Sequence, residues 1–256
     1  MFADERKLWI LSQLQLQQSV SVAELAKALN TSESTIRRDL QDLEEQGRLK
    51  RTHGGAVSME VAAFEPSIQE KSVQHQAEKY AIAEAAQMFI KTGDTVILDA
   101  GSTTLQIARQ FTGSGVTFIT NSLAIADELG GRADTQVILL GGELRPTTGA
   151  LVGPFCQQML ARLHADTLFL GTNGIHARQG VTTPNVAEAA AKAAMIQAAR
   201  RVILVADHTK FGQISLVQVA GLDEIDTLIT DIDAEGELRQ ALDEHSVEIV
   251  VAKSNR

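Results

Sequence analysis

One cysteine, Cys156, stands alone in 256 residues, and no apolar run approaches the roughly 18 residues that a membrane span needs. A single thiol closes no internal disulfide and builds no metal cage, so a reducing, cytoplasmic setting is expected and Cys156 reads as a small buried apolar residue. The start, Met1-Phe2-Ala3-Asp4-Glu5-Arg6-Lys7, has acids where a signal peptide has its basic end. The six histidines (His53, His75, His164, His176, His208, His245) show no metal-ligand spacing, and neither H-E-x-x-H nor C-x-x-C occurs. No G-x-x-x-x-G-K-[ST] run is present, which leaves nucleotide hydrolysis without support. Methionines and aromatic residues are sparse and read as core. No metal, cofactor or catalytic group is expected.

What is present fits a folded chain of two unequal parts. At about 150 residues per domain the length predicts roughly two domains. Apolar residues make up 44% and charged residues 21%, the balance of a globular protein with ample core. The net charge of −9 argues against nucleic acid when taken as an average. Its distribution does not. Residues 1–58 hold eight basic and eight acidic side chains, so the whole excess of acid lies in residues 59–256. The basic groups of the first part cluster as Arg37-Arg38 and Lys50-Arg51, and a neutral module with focused basic spots can still neutralise phosphates.

Three short helical patterns follow one another in residues 1–58. Leu8, Leu11 and Leu14 recur at helical spacing. Ser21 with Glu24 forms a capping-box signature ahead of Leu25, Ala26 and Leu29. Asn30-Thr31 makes a turn, Ser32 caps a third helix with Ile36, Leu40 and Leu43 on its inner side, and Gly47 ends it. The outer side of that helix presents Ser34, Arg38 and Gln41, with Arg37 at its margin. Such a helix suits the major groove, where Arg pairs with guanine and Gln with adenine. Leu49-Lys50-Arg51-Thr52 then reads as a strand and His53-Gly54-Gly55 as a turn, a small wing whose Lys50 and Arg51 would meet phosphates or a minor groove. The competing account is a three-helix bundle whose solvated Arg face serves protein contacts. The Ser/Arg/Gln face and the basic wing favour DNA.

These residues carry a resemblance. Arg6 with Ile10-Leu11, the run Val20 to Ala26, Ser34-Thr35-Ile36-Arg37-Arg38-Asp39-Leu40, Leu43-Glu44 and His53-Gly54-Gly55-Ala56 closely resemble the DNA-binding domain of the DeoR family of bacterial transcriptional regulators. The resemblance implies a winged helix-turn-helix domain with Thr35, Arg37 and Arg38 on DNA and Lys50 and Arg51 near the backbone. The DNA-contacting set expected is Ser32, Ser34, Thr35, Arg37, Arg38, Gln41, Lys50, Arg51 and His53.

Residues 59–77 lack a clear period and read as a linker that turns helical toward Ala77. From residue 78 to 256, apolar runs (Val96 to Leu98, Val116 to Ile119, Val137 to Leu140, Leu168 to Leu170, Val202 to Val205, Leu228-Ile229, Val247 to Val251) alternate with helical stretches such as Tyr80 to Ile90, Leu123 to Leu129 and Val186 to Arg200. The fold class expected is α/β, a mainly parallel sheet covered on both faces. Its strand tips would share one edge and form a crevice. Gly101-Ser102-Thr103-Thr104, before a helix from Leu105, suits a phosphate, and Asp99, Asn121, Glu188 and Lys210 suit hydroxyls. Taken singly, each such loop is better read as an ordinary cap, and Glu188 with Lys192 as a plain surface pair; several loops converging on one edge favour a site there, though not each residue in it.

The resemblance covers this part too. Gly93-Asp94, Asp99 to Thr104, Thr120-Asn121-Ser122, Gly141-Gly142, Glu188 with Lys192, and Asp207 with Lys210-Phe211-Gly212 look like the DeoR effector domain, itself similar to ribose-5-phosphate isomerase-type folds. It implies a homo-oligomeric (dimeric or tetrameric) repressor in the cytoplasm, released from double-stranded operator DNA by a phosphorylated sugar or polyol. The expected effector set is Asp99, Gly101, Ser102, Thr103, Thr104, Thr120, Asn121, Gly141, Gly142, Gly171, Gly174, Glu188, Lys192 and Lys210. Thr209 stands where Ser is usual in the family, which keeps the hydroxyl; Pro184-Asn185-Val186-Ala187 before Glu188 departs more. An enzyme, with Asp99 or Glu188 as base and Lys210 as electrostatic partner, is the alternative.

Overall fold

The structure, a computed structural model, describes residues 3–17, 19–46, 48–52, 54–58 and 67–253. Gly47, His53, the Lys50 side chain and residues 59–66 of the expected linker lie outside the described residues. The chain divides into two compact units, Met1–Glu65 and Pro66–Arg256.

In the first unit α1 (Ala3–Gln17), β1 (Ser19–Ser21), α2 (Val22–Ala28) and α3 (Glu33–Glu45) precede β2 (Leu49–Thr52) and β3 (Gly55–Ser58). The Ser21 and Ser32 hydroxyls cap α2 and α3 by accepting from the backbone N–H groups of Glu24 and Thr35. Ile36, Leu40 and Leu43 pack against Ile10, Leu14 and Leu25 in one core. One expectation fails: Leu8 is 66% exposed, and Ile10 replaces it on the inner face of α1. Residues spaced by three drift about 60° per step around a helix, so Leu8 has rotated away from Leu14, whereas Ile10, four before Leu14, has not. β2 and β3 form the wing, and β1 adds to β3 as a third antiparallel strand.

The second unit opens with α4 (Ile68–Val73) and α5 (Gln76–Ala86). There follow β4 (Thr95–Leu98), α6 (Ser102–Gln110), β5 (Val116–Thr120), α7 (Leu123–Gly130) and β6 (Thr135–Leu139). A hairpin of β7 (Glu143–Arg145) and β8 (Ala150–Val152) leads to α8 (Pro154–Leu160) and β9 (Ala165–Gly171). Next come β10 (Gly174–His176), β11 (Gly180–Thr183), α9 (Val186–Ala198) and β12 (Ala199–Val205). β13 (Val217–Ala220), β14 (Thr227–Thr230), α10 (Gly236–Glu244) and β15 (Glu248–Val251) complete it. Each of the seven apolar runs becomes a strand of one parallel sheet, in the order β15-β14-β12-β9-β4-β5-β6.

Alternate residues of these strands enter different cores, which is why the runs are apolar throughout. Ile97, Ile119, Leu168 and Leu204 pack with Cys156 of α8, Met195 of α9 and Leu242 of α10. Val96, Phe118, Phe169 and Ile203 pack with Ile82 of α5, Ile107 of α6 and Leu129 of α7. Helices thus cover both faces. The β7–β8 hairpin and an antiparallel sheet of β10, β11 and β13 lie outside this pattern. α6 begins at Ser102, three residues ahead of the Leu105 start expected.

Strand order locates the crevice. From β4 the chain winds outward through β5 and β6, then returns to the other side of β4 to lay down β9, β12, β14 and β15. The reversal falls between β4 and β9, and ligand sites of open α/β sheets sit at such a switch point.

Candidate functional site

The outer side of α3 is set by what its inner side must bury. With Ile36, Leu40 and Leu43 in the core, Ser34, Arg37, Arg38 and Gln41 are left exposed. Arg37 pairs with Glu33 one turn back at 3.1 Å, an exposed contact that another anion displaces cheaply. The Ser32 hydroxyl lies 2.8 Å from both the Ser34 and the Thr35 hydroxyls, so the start of the helix is a knot of hydroxyls. Asp39 serves a different end. Arg6 of α1 forks onto it, Nε to Oδ2 at 2.5 Å and Nη2 to Oδ1 at 3.0 Å, which raises the already basic Arg6 and locks α3 onto α1. Lys7 makes a second tie, 2.6 Å to Asp42. In the wing, Arg51 is exposed and its N–H donates to Glu44 of α3 at 3.0 Å.

At the switch point of the second unit, Asp99 leaves β4 fully enclosed. Its Oδ2 accepts from the Gly171 N–H at the tip of β9 (3.1 Å) and from Lys192 Nζ of α9; Lys192 also donates to the Gly171 carbonyl at 3.0 Å. Burial pushes the Asp99 carboxyl above its ordinary range, and Lys192 and the Gly171 N–H act against that rise. One turn earlier on α9, Glu188 is buried with Oε1 accepting from Arg145 Nη1 (2.5 Å) and from the Thr148 hydroxyl (2.6 Å). Its backbone N–H is capped by Asn185 Oδ1 at 3.0 Å. Across the crevice α6 starts at Ser102 behind Gly101, which offers no side-chain cap. Its first N–H groups are therefore left without a side-chain acceptor.

Asn121 joins the parts. Its Oδ1 accepts from the Ala100 N–H and its Nδ2 donates to the Leu151 carbonyl, both at 3.0 Å, tying the β4 loop to the β7–β8 hairpin. Other expected contacts prove to be scaffold. The Thr104 hydroxyl donates to the Asp99 and Gly101 carbonyls, and the Thr120 hydroxyl to that of Leu98. Thr103 is buried. A Cβ on Gly142 would lie 2.3 Å from the Val152 carbonyl oxygen, so this glycine lets β7 and β8 meet. Gly174 is held in the same way against the Gln213 backbone, and the Gly141 N–H faces Met159 sulfur at 3.2 Å. Lys210 stands one strand beyond β9, past the end of β12, where its Nζ donates to Thr209 at 3.1 Å. Beside it Asp207 is buried, yet Lys210, both Thr209 donors and Lys79 hold it below the ordinary carboxylate range.

Beyond β12 and β14 a hollow of about 450 Å³ is lined by His176, His208, Phe211, Asp233, Glu235 and Glu237, among others. Of its three acids, Asp233 takes Arg239 at 2.7 Å and Glu237 faces Arg178 at 4.0 Å. A carboxylate-rich wall of this kind repels a phosphate.

Comparison with known proteins decides the family. A family model described as the DeoR-like helix-turn-helix domain matches residues 6–62, and one described as the DeoR C terminal sensor domain matches residues 74–232. The chain belongs to the DeoR family of transcriptional regulators. Similar relatives include the HTH-type transcriptional regulator GlpR of Haloferax volcanii, 41% identical over 98% of this chain and 98% of that one. The HTH-type transcriptional repressor GlcR of Bacillus subtilis is 35% identical over 100% of this chain and 98% of its own. Among solved structures, ribose 5-phosphate isomerase A from Neisseria gonorrhoeae overlays with a TM-score of 0.40 and 16% identity, over 57% of this chain and 56% of that one.

Both sets of DeoR candidates fall inside the matched spans, the DNA-facing ones within 6–62 and the crevice ones within 74–232. Sequence reasoning missed Arg145 and Thr148, because nothing near them in the chain announces that they meet Glu188. It also missed the His208–Asp231 contact, Nδ1 to Oδ2 at 2.6 Å, made between the segments that follow β12 and β14. Among the described residues no group of His, Cys, Asp and Glu could hold a metal, and no helix is long and apolar enough to cross a membrane.

Proposed function

We propose that this DeoR regulator represses a sugar or polyol operon and that a phosphorylated sugar or polyol, bound in the crevice, lowers its affinity for operator DNA. The observation that carries the reading is the uncapped start of α6 facing a buried, charge-paired cluster at the switch point. The phosphate goes to the Ser102 and Thr103 N–H groups, since every carboxylate nearby would repel it. Hydroxyls go to Asp99, Glu188 and Lys192, which can exchange protein partners for ligand ones. Because Asp99 and Glu188 are each tied to a cation, neither is poised as a free general base, which favours sensing over isomerisation.

On the DNA side, Ser34, Thr35, Arg37, Arg38 and Gln41 of α3 would enter the major groove, while Lys50, Arg51 and His53 of the wing meet the backbone. The domains implied are residues 1–58 for DNA, 59–77 as linker and 78–256 for the effector. A homo-oligomer with two-fold symmetry would read a palindromic operator in the cytoplasm.

The test is fluorescence anisotropy of DNA from upstream of the protein's own gene and its neighbours, titrated at several salt concentrations. Glucose 6-phosphate, fructose 1-phosphate, ribose 5-phosphate and glycerol 3-phosphate would then be added. Tight, salt-sensitive binding released by one compound supports the reading. Arg37→Ala with Arg38→Ala should weaken binding and flatten the log–log salt slope by about one for each phosphate no longer neutralised. Unchanged operator affinity in that double variant would remove α3 from the interface.

A further inference from the structure

The side chains that hold the Glu188 carboxylate come from the last residue of β7, Arg145, and from the turn Pro146-Thr147-Thr148-Gly149 that joins β7 to β8. Thr148 and Arg145 grip the Glu188 carboxylate from one side of this turn. From the other side the Thr147 carbonyl accepts the Ile68 N–H at 3.0 Å. Ile68 is the first residue of α4, and α4 is the first described helix after the unit Met1–Glu65. α4 is itself a tightly fastened piece. Ser67 and Glu70 form a reciprocal capping box at its start, and Lys79 donates to the Lys71 and Gln74 carbonyls at its end. A backbone hydrogen bond, Ile68 N–H to the Thr147 carbonyl, therefore joins the turn that holds Glu188 to the segment that enters the sensor unit.

We propose that the β7–β8 turn is a latch, by which occupation of Glu188 releases α4 and so changes the DNA-binding state. The inference rests on the effector reading above and names its regulation. A ligand hydroxyl that takes Glu188 Oε1 removes the acceptor shared by Arg145 and Thr148. The turn then loses this side-chain anchor to α9, while Gly149 and Leu151 still meet Leu123 and Asn121. Thr147 no longer holds its carbonyl against Ile68. Effector binding thereby distinguishes two states of the entering segment, which is what coupling requires.

Ile68 allows a clean cut. It is the first helical residue, a position where proline is well tolerated, and Ser67 before it already has the extended backbone (φ −59°, ψ 160°) that a following proline demands. Ile68→Pro removes the N–H together with the isoleucine side chain, and Ile68→Ala, which keeps the N–H, controls for the side chain. In the full chain, Ile68→Pro should bind the effector as wild type does, while the effector-induced loss of operator affinity shrinks at least about fivefold, the low end of ordinary allosteric coupling. Ile68→Ala should retain that loss. Full release in Ile68→Pro, or equal damage in both variants, overturns the latch.

A second measurement needs no effector. Glu188→Gln weakens the grip on Arg145 and Thr148, so amide exchange at Ile68, read by NMR, should quicken at least about fivefold, as expected for loss of a net hydrogen bond. An unchanged rate overturns the mechanical link even if a phosphosugar releases the DNA. Failure of every phosphosugar to bind wild type overturns the effector reading instead, and the exchange result then judges the link alone.

Discussion

Lys192 of α9 reaches Asp99 at the tip of β4, 93 residues away in the chain, and the pair sits where the strand order reverses. Both side chains are nearly sealed from water, so each depends on the other to offset its desolvation. Lys192→Met strands the carboxylate and leaves the Gly171 carbonyl without its donor. Removing one partner of a buried pair costs about 3–5 kcal/mol, and that loss is expected here. Urea unfolding followed by circular dichroism measures it. A loss under about 1 kcal/mol would mean that the pair contributes little to the sensor unit. Asp99→Asn combined with Lys192→Met should recover part of the loss, because the unpaired charge is gone.

The fork between Arg6 and Asp39 is the corresponding feature of the DNA-binding unit. Asp39 stands next to Arg38 in sequence but faces inward, with its carboxylate against α1. Asp39→Ala should destabilise this unit by about 3 kcal/mol, since it removes both carboxylate oxygens onto which a partly buried guanidinium forks. Trp9, the chain's single tryptophan, packs against the same core, so its fluorescence reports this unfolding separately from the sensor unit. An Asp39→Ala protein whose Trp9 transition matches wild type would show that the fork is dispensable.

Cys156 lies in the core beside α9, and burial, together with the nearby Asp99 charge, pushes its thiol up to about 11. The thiolate is the reactive form, so at pH 8 the native protein should release almost no colour from Ellman's reagent. One equivalent should appear on unfolding in guanidinium. Rapid native-state labelling would mean that α8 opens readily, contrary to its packing.

The seven strands were legible because burial on both faces leaves uninterrupted apolar runs, and the wing was legible from its basic strand and Gly-rich turn. The β7–β8 hairpin and the β10–β11–β13 sheet were not, since most of these short strands (Glu143-Leu144-Arg145, Gly174-Ile175-His176, Gly180-Val181-Thr182-Thr183) are broken by polar residues or glycine and form no apolar run. In the crevice, spacing misled. Glu188 and Lys192 look like an i,i+4 pair, yet each bonds a residue far away in the chain, Arg145 and Asp99. Sequence spacing sees only neighbours on one helix, and the contacts that matter are made between elements. Gly142 and Gly174 carried a signal whose cause is backbone crowding, and the Thr104 and Thr120 hydroxyls one whose cause is carbonyl capping. Residue type marked the polar residues that gather at the strand tips but not the partners they take there.

Asp207 makes the acid limb of stability predictable. Burial alone would raise its carboxyl, but Lys210, the Thr209 hydroxyl and N–H, and Lys79 outweigh that and hold it below its usual value. A depressed folded-state pKa means stabilisation that is fully present above the unfolded value of about 3.9 and lost as pH falls through the lower folded one. Asp99, raised by burial, shifts stability in the opposite sense, so the whole-protein profile mixes the two. A difference measurement separates them. Asp207→Asn should lower stability by a constant amount above about pH 5, and the gap to wild type should close as pH drops below about 4. Guanidinium midpoints across that range supply the comparison. A gap that stays constant down to about pH 2 would mean that Asp207 acts through packing and hydrogen-bond shape rather than through its charge.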